Sequence, residues 1–588
     1  MSRIHAMLGM AAGAFAAFGL LSPTSAQADS SADAIKNCAD GNWCAYHRTT
    51  DKAWRHSPLT QITKENVKDL KVAWMFLPGD DRMGLQSTPL VIDGAMYIST
   101  TPSNVWKIDA ATGQRLWNYV PDQDKAVVSR SFFAHTRGLT IGDGRVYIGR
   151  ADGFLDALDE NTGELMWSVQ LVDSKVDSAG FSGAGTFVNS DLLVLGQNGG
   201  EYPVEGRIFG IDPKDGSTKW IFYTTGRGDD AALATWGGDS WKYGGGGSWQ
   251  PGTVDYANNQ IIMGTGNPNP DYDFCGDKCM DPTANAHRPG SNLYTSSTIA
   301  LDLDTGKLNW YFQEAPSDPY DYDAACCEYV IFEDEGRSMV IHPGKNGFNH
   351  VHDTKTGQPL AVYPDMNNQN WTTGFNLETG QWENMLWPKA GEKTLVCPAI
   401  DGGHSWNAGT YDPSTNTFYR VVNEWCMWLT VNPEEGAAAT AGSEERTTEP
   451  FAVVFMAAAW EGTDPEGDQM HGRITARDPL SGDIKWEKRY DIIPHSALMS
   501  TASGLLFNAT YEGEIEALDS SNGDRLWSFN LGTGSNGGIV SYEANGKQYV
   551  AITTGHGSYV GGAVLAKWGN NPLINYQETT AVVAFELP

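Results

Sequence analysis

The feature that most constrains this chain is an eleven-residue repeat closed by tryptophan. An apolar residue precedes an aspartate, a polar turn with glycine follows, and an indole ends the unit. "KIDAATGQRLW" ends at Trp117, "ALDENTGELMW" at Trp167, "GIDPKDGSTKW" at Trp220 and "ALDLDTGKLNW" at Trp310. "ARDPLSGDIKW" ends at Trp486 and "ALDSSNGDRLW" at Trp527. Two weaker copies, "VHDTKTGQPLA" and "TYDPSTNTFY", bring the expected number to eight, at Asp109, Asp159, Asp212, Asp302, Asp353, Asp412, Asp478 and Asp519. D-x-x-T-G is a tight turn in which glycine supplies a positive φ and aspartate caps the backbone. Alternating apolar runs such as "GLLFNATYEGEIEALD" flank the turns and read as strands. A small antiparallel sheet cannot bury both faces alone, but eight arranged radially bury one another. The expected fold is all-β, an eight-bladed β-propeller with Trp-docking repeats.

A repeat architecture also accounts for the length. The chain has 588 residues, long for one ordinary core, but each repeat adds a layer of its own. Residues 29–588 are expected to form a single propeller domain. The runs "LKVAWMFL" and "TAVVAFEL" both look like strands, and sharing one blade would close the ring without an open edge. Inserts at Pro268–Thr295 and Val431–Pro450 are expected to run over the surface. Residues 1–28 read as a secretory signal: Arg3 and His5, an apolar run, then small residues at Ala26 and Ala28. The run is short for a membrane span, and a periplasmic protein is expected.

The formal net charge is −32, which argues against nucleic acid as a partner and suits capture of a basic protein. Eight cysteines follow the signal, as in an oxidising compartment. The expected pairs are Cys38–Cys44, Cys275–Cys279, Cys397–Cys426 and, by remainder, the adjacent Cys326–Cys327. The pair in "FCGDKC" could instead be half of a zinc site, although no partner motif is visible. No CxxCH occurs, so no covalently held c-type haem is expected.

The connecting segments carry a resemblance. "SPLTQITKENVKDLKVAW", "GGEYPVEG", "SWKYGGGGSW", "GTGNPNP", "DYD", "KNGF" and "GKQYVAITTGHG" occur in this order within the Trp repeat. Together they resemble the quinoprotein alcohol dehydrogenases, which bind pyrroloquinoline quinone (PQQ), from about Trp54 to the C-terminus. The resemblance implies one metal ion held by Glu201, Asn267 and Asp321, with Asp321 also the catalytic base. Asp323 stands where lanthanide-using members carry an additional aspartate. Residues i and i+2 of an extended segment face the same way, so both carboxylates can address one ion. A lanthanide is therefore favoured, with calcium the alternative.

The same resemblance assigns PQQ contacts to Gln86, Arg137, Ser182, Trp241, Lys345 and Trp406. Trp241 would lie beneath the ring, Arg137 would pair with a carboxylate, and Lys345 would face the quinone oxygens. The implied reaction is oxidation of an alcohol, primary or secondary and including bulky or polyol substrates, by hydride transfer to metal-bound PQQ. A separate soluble cytochrome c would take the electrons, and a homodimer is left open. Three departures alter the pocket mouth. Ser131 and Phe132 stand where the family has adjacent cysteines, His495 replaces a tryptophan, and Ser405 replaces an asparagine beside Trp406. The competing class is a non-catalytic propeller scaffold of the outer-membrane assembly type. It would have no need of this set of carboxylates, lysine and indoles.

Overall fold

The computed structural model describes residues 28–79, 84–125, 135–177, 179–200, 202–228, 230–431, 471–557, 561, 564 and 579–588. The proposed signal, the Ser131/Phe132 substitution, Glu201 and most of the second insert lie outside them.

Eight sheets form the propeller: seven are antiparallel and four-stranded, and in the eighth His56–Ser57 adds a fifth strand, parallel, to four antiparallel ones. Blades 1 to 5 span residues 90–119, 140–170, 186–223, 253–313 and 330–364. Blade 6 draws its strands from 410–424 and 471–490, and blade 7 spans 499–530. Blade 8 closes the ring: Ile539–Ala544, Lys547–Thr553 and Val582–Glu586 are completed by Lys71–Phe76 as the outer strand. Within a blade, burial falls outward. Leu90–Ile92 is wholly buried, whereas outer strands such as Leu165–Gln170 expose alternate residues.

The repeat works between blades. Asp109 accepts from the backbone N–H of Ala111 and Thr112, and Gly113 N–H returns to the Asp109 carbonyl at 2.8 Å. The indole of the preceding blade then docks on that turn. Trp74 Nε1 donates to the Ala110 carbonyl, Trp117 to Glu160, Trp220 to Leu303, Trp310 to Thr354 and Trp486 to Ser520, at 2.9–3.1 Å. Each acceptor is the residue after the repeat's aspartate. The turn glycine must be bare because the ring lies on it: a Cβ on Gly306, where φ is +66°, would stand 2.4 Å from Trp220.

Two details depart from the repeat as read. Asp412 lies between the first two strands of blade 6, whereas Asp478 forms that blade's docking turn. The eight aspartates thus fall on seven blades. Blade 8 has no such turn, because its outer strand comes from the N-terminal part of the chain; Trp527 packs instead on Phe585, with ring centres 5.3 Å apart. In blade 5 Tyr363 substitutes for tryptophan and donates to the Pro479 carbonyl at 3.0 Å.

The first insert is not a surface excursion. Asn269, Asp271, Asp273, Arg288 and Asn292 within it are buried. The Arg288 guanidinium donates to the carbonyls of Pro270, Asp271, Ser317 and Asp318, tying the insert to the approach to Asp321. An arginine meeting several carbonyls keeps its charge hydrogen-bonded although buried. All four disulfides form as paired in the sequence, so Cys275 and Cys279 are not zinc ligands. Among the described residues no helix is long and apolar enough to cross a membrane.

Candidate active site

Site residues cluster on the loops that enter the innermost strands. Gln86, Ser182, Trp249, Trp406 and His495 each stand four residues before such a strand begins, and Arg137 stands three before. Successive blades therefore deliver side chains to the same end of the ring. Cys326 occupies the corresponding register of blade 5.

Two groups assemble there. The first is built of oxygens around one cation. Lys345 Nζ lies 3.1 Å from Asp321 Oδ1 and 3.1 Å from Asp323 Oδ2. The other Asp323 oxygen accepts the Asn267 backbone N–H at 2.8 Å. Asn267 Nδ2 donates to Asp271 Oδ1 at 2.8 Å, which fixes the amide and leaves its oxygen buried without a hydrogen-bond partner among the described residues. Gly200, next to Glu201, abuts that same oxygen: a Cβ on Gly200 would lie 2.2 Å from Asn267 Oδ1. Asp321 adopts a positive φ of 68°, a conformation uncommon outside glycine and concentrated at functional sites. The turn that imposes it is held by buried Asp318, which accepts Tyr322 N–H and the Ser296 hydroxyl.

The second group is planar. The Arg137 guanidinium is 4.6 Å from the Trp249 ring and 5.1 Å from the Trp406 ring. Arg137 N–H donates to the Ser182 carbonyl at 2.7 Å, and the Ser182 hydroxyl is buried without a hydrogen-bond partner among the described residues. Trp406 meets His495 edge-on at 5.7 Å, and His495 stacks on Tyr511. Burial, reinforced by Arg420 and Arg137, pushes the His495 imidazole down to about 3, so it is neutral. The loop 402–406 links the groups. A Cβ on Gly402 would stand 2.2 Å from Lys345 Cγ, and Ser405 O is 3.4 Å from Cys327 Sγ.

Asn267, Asp321, Asp323 and Lys345 thus come together, as do Arg137, Ser182 and Trp406, and Gln86 is buried on the equivalent loop of blade 1. Trp241 is placed differently. It lies on a short helical turn, Ser240–Tyr243, with the Lys242 ammonium 5.6 Å from its ring. The indole against Arg137 is Trp249, in the same "SWKYGGGGSW" stretch. The four-residue offset from Thr253 is the signal that singles it out.

The profile of the PQQ glucose/ethanol/alcohol dehydrogenase β-propeller domain matches residues 43–366 and 363–550. The chain belongs to that family. It is a PQQ-dependent alcohol dehydrogenase, and its relatives share most of its length. It is 32% identical over 567 residues to quinohemoprotein alcohol dehydrogenase ADH-IIG of Pseudomonas putida, covering 90% of this chain and 75% of that one. It is 31% identical over 538 residues to quinoprotein alcohol dehydrogenase PedH of Pseudomonas putida, covering 86% and 85%. Among solved structures, a europium-containing methanol dehydrogenase superposes with a TM-score of 0.82 at 25% identity, covering 94% of this chain and 100% of that one.

The quinoprotein's residues fit the groups its family uses. Unpaired Asn267 oxygen and two carboxylates converge as hard oxygen donors for a hard cation. An arginine between indoles and a buried unpaired hydroxyl suit a flat polyanion.

Proposed function

We propose that this quinoprotein oxidises an alcohol larger than methanol, with Asp321 as general base and Asn267, Asp321, Asp323 and Glu201 as the metal ligands. The observation that carries the reading is the paired carboxylates of Asp321 and Asp323, each 3.1 Å from Lys345 Nζ. Bound PQQ supplies a two-electron acceptor, with the metal as Lewis acid. Arg137, Ser182 and Gln86 would hold its polar edge, and Trp249 and Trp406 would wall its plane. Asp321 takes the hydroxyl proton of the substrate. Lys345, charged and fixed by the two aspartates, offsets negative charge that develops beside it. The aromatic face of Trp406, His495 and Tyr511 keeps water from the reacting carbon.

Asp323 favours a lanthanide over calcium, because a further anionic ligand suits a trivalent, high-coordinate ion. The name of the europium-containing relative agrees with that preference. We further infer a periplasmic location and a separate soluble cytochrome c as acceptor, from the signal-like residues 1–28 and the net charge of −32. The test is reconstitution of the cofactor-free protein with PQQ and either calcium or a light lanthanide, assayed over an alcohol panel with an artificial dye. Wild type is expected to work best with the lanthanide, and Asp323→Ala to lose that preference. Equal activity of wild type with both metals overturns the metal assignment, and no turnover with either overturns the site reading.

A further inference from the structure

Asp401 lies between the Cys397–Cys426 bridge and Trp406, on the loop that joins the two halves of the site. It is 3% exposed, and neither carboxylate oxygen has a hydrogen-bond partner among the described residues. Burying a carboxylate without a donor is costly, and natural folds retain such groups where they serve a purpose. The position is held firmly. Tyr322, the residue between Asp321 and Asp323, donates its hydroxyl to the Pro398 carbonyl at 2.6 Å. Gly403 N–H donates to the Lys345 carbonyl at 2.9 Å, and Asn423 Nδ2 donates to the Gly402 carbonyl at 3.2 Å. The backbone on both sides of Asp401 is therefore fixed to residues adjoining Asp321. Burial raises its carboxyl to about 7, against the opposing pull of the Lys345 ammonium.

A buried acceptor within reach of the Lys345 charge, itself 3.1 Å from the proposed base, with no hydrogen-bond donor among the described residues, calls for a donor on the ligand. A mono-alcohol directs its one hydroxyl to Asp321. A diol carries a second hydroxyl that can serve a second acceptor. We propose that Asp401 is a specificity-determining residue that accepts a hydrogen bond from a second hydroxyl of the substrate, so that diols and polyols are preferred over mono-alcohols. A neutral hydroxyl fits better than an ammonium, since Lys345 already supplies the local cation and a further charge would have to be desolvated. The proposal rests on the dehydrogenase reading with Asp321 as base.

The experiment uses protein reconstituted with PQQ and its activating metal. kcat/KM is measured for 1-butanol and for 1,2-, 1,3- and 1,4-butanediol in wild type, Asp401→Asn and Asp401→Leu. At least one diol is expected to exceed 1-butanol in wild type by at least about tenfold. Asp401→Leu removes that preference, and Asp401→Asn, which keeps a carbonyl acceptor in place, retains part of it. Neither variant should melt below wild type, because no hydrogen bond is lost. A diol-to-butanol ratio unaltered by Asp401→Leu overturns the proposal. So does a proportional loss on all four substrates, which would make Asp401 a support for Lys345. If wild type oxidises none of them or any other alcohol, the dehydrogenase reading fails first and this proposal with it.

Discussion

Asp321 and its neighbours show how much of the site individual letters could reveal. The carboxylates, Asn267 and Lys345 were legible because each sits in a short, distinctive string, and the structure brings them within hydrogen-bonding distance of one another. Trp249 was not, because the glycine run places two tryptophans in one stretch and sequence alone does not say which faces the axis. Its position before Thr253 becomes meaningful only when compared across blades. The proposed role of Asp321 as base gives a direct expectation. Asp321→Asn keeps size and hydrogen-bonding capacity but cannot take a proton, so kcat should fall by about 10²–10⁴-fold with KM less affected. Steady-state rates with saturating PQQ and metal check this, and a kcat within a few-fold of wild type would exclude Asp321 as base.

Blades dock through a ring laid on a turn, and that element explains why the repeat needs both its glycine and its indole. Gly306→Ala places a Cβ 2.4 Å from Trp220 in a left-handed conformation, so it should destabilise by about 2 kcal/mol or more. A urea midpoint unchanged from wild type would contradict the docking account. The eightfold count of aspartates was legible, but its distribution was not. Asp412 begins a different turn, and the closing blade docks with Phe585 instead, because a ring needs one blade built from distant strands.

Another interblade element is acidic. Glu314 is buried after the outer strand of blade 4, within 3.5 Å of His342 and 3.4 Å of His350. Burial raises its carboxyl from 4.5 to about 8, with the Thr298 hydroxyl opposing, while burial keeps both histidines neutral. A raised folded-state pKa means the native protein holds a proton that the unfolded chain releases. The contribution is full below about 4.5 and is lost as pH rises to about 8. Between pH 6.5 and 8, wild type should therefore lose stability relative to Glu314→Gln, by at most ~1.4 kcal/mol per pH unit. Parallel urea curves for the two proteins across that range would show that Glu314 is not the group responsible.

Over the whole molecule, charge is the dominant property. With −32 formal charges, long-range attraction should steer a basic electron acceptor. Reduction of a basic cytochrome c is expected to slow as ionic strength rises from 10 to 150 mM, where the screening length falls from roughly 30 to 8 Å. Reduction of a neutral dye should not change. A cytochrome rate indifferent to salt would rule out steering.

The ring's closure has a consequence in time. Lys71–Phe76 is an outer strand whose ladder partner, Val582–Glu586, lies at the far end of the chain. During synthesis the first of these strands waits for the last, and every interrupted product lacks a complete eighth blade. Such long-range pairing is slow to form. It also makes the finished ring a completeness check, since a chain that stops short cannot bring its last blade against its first.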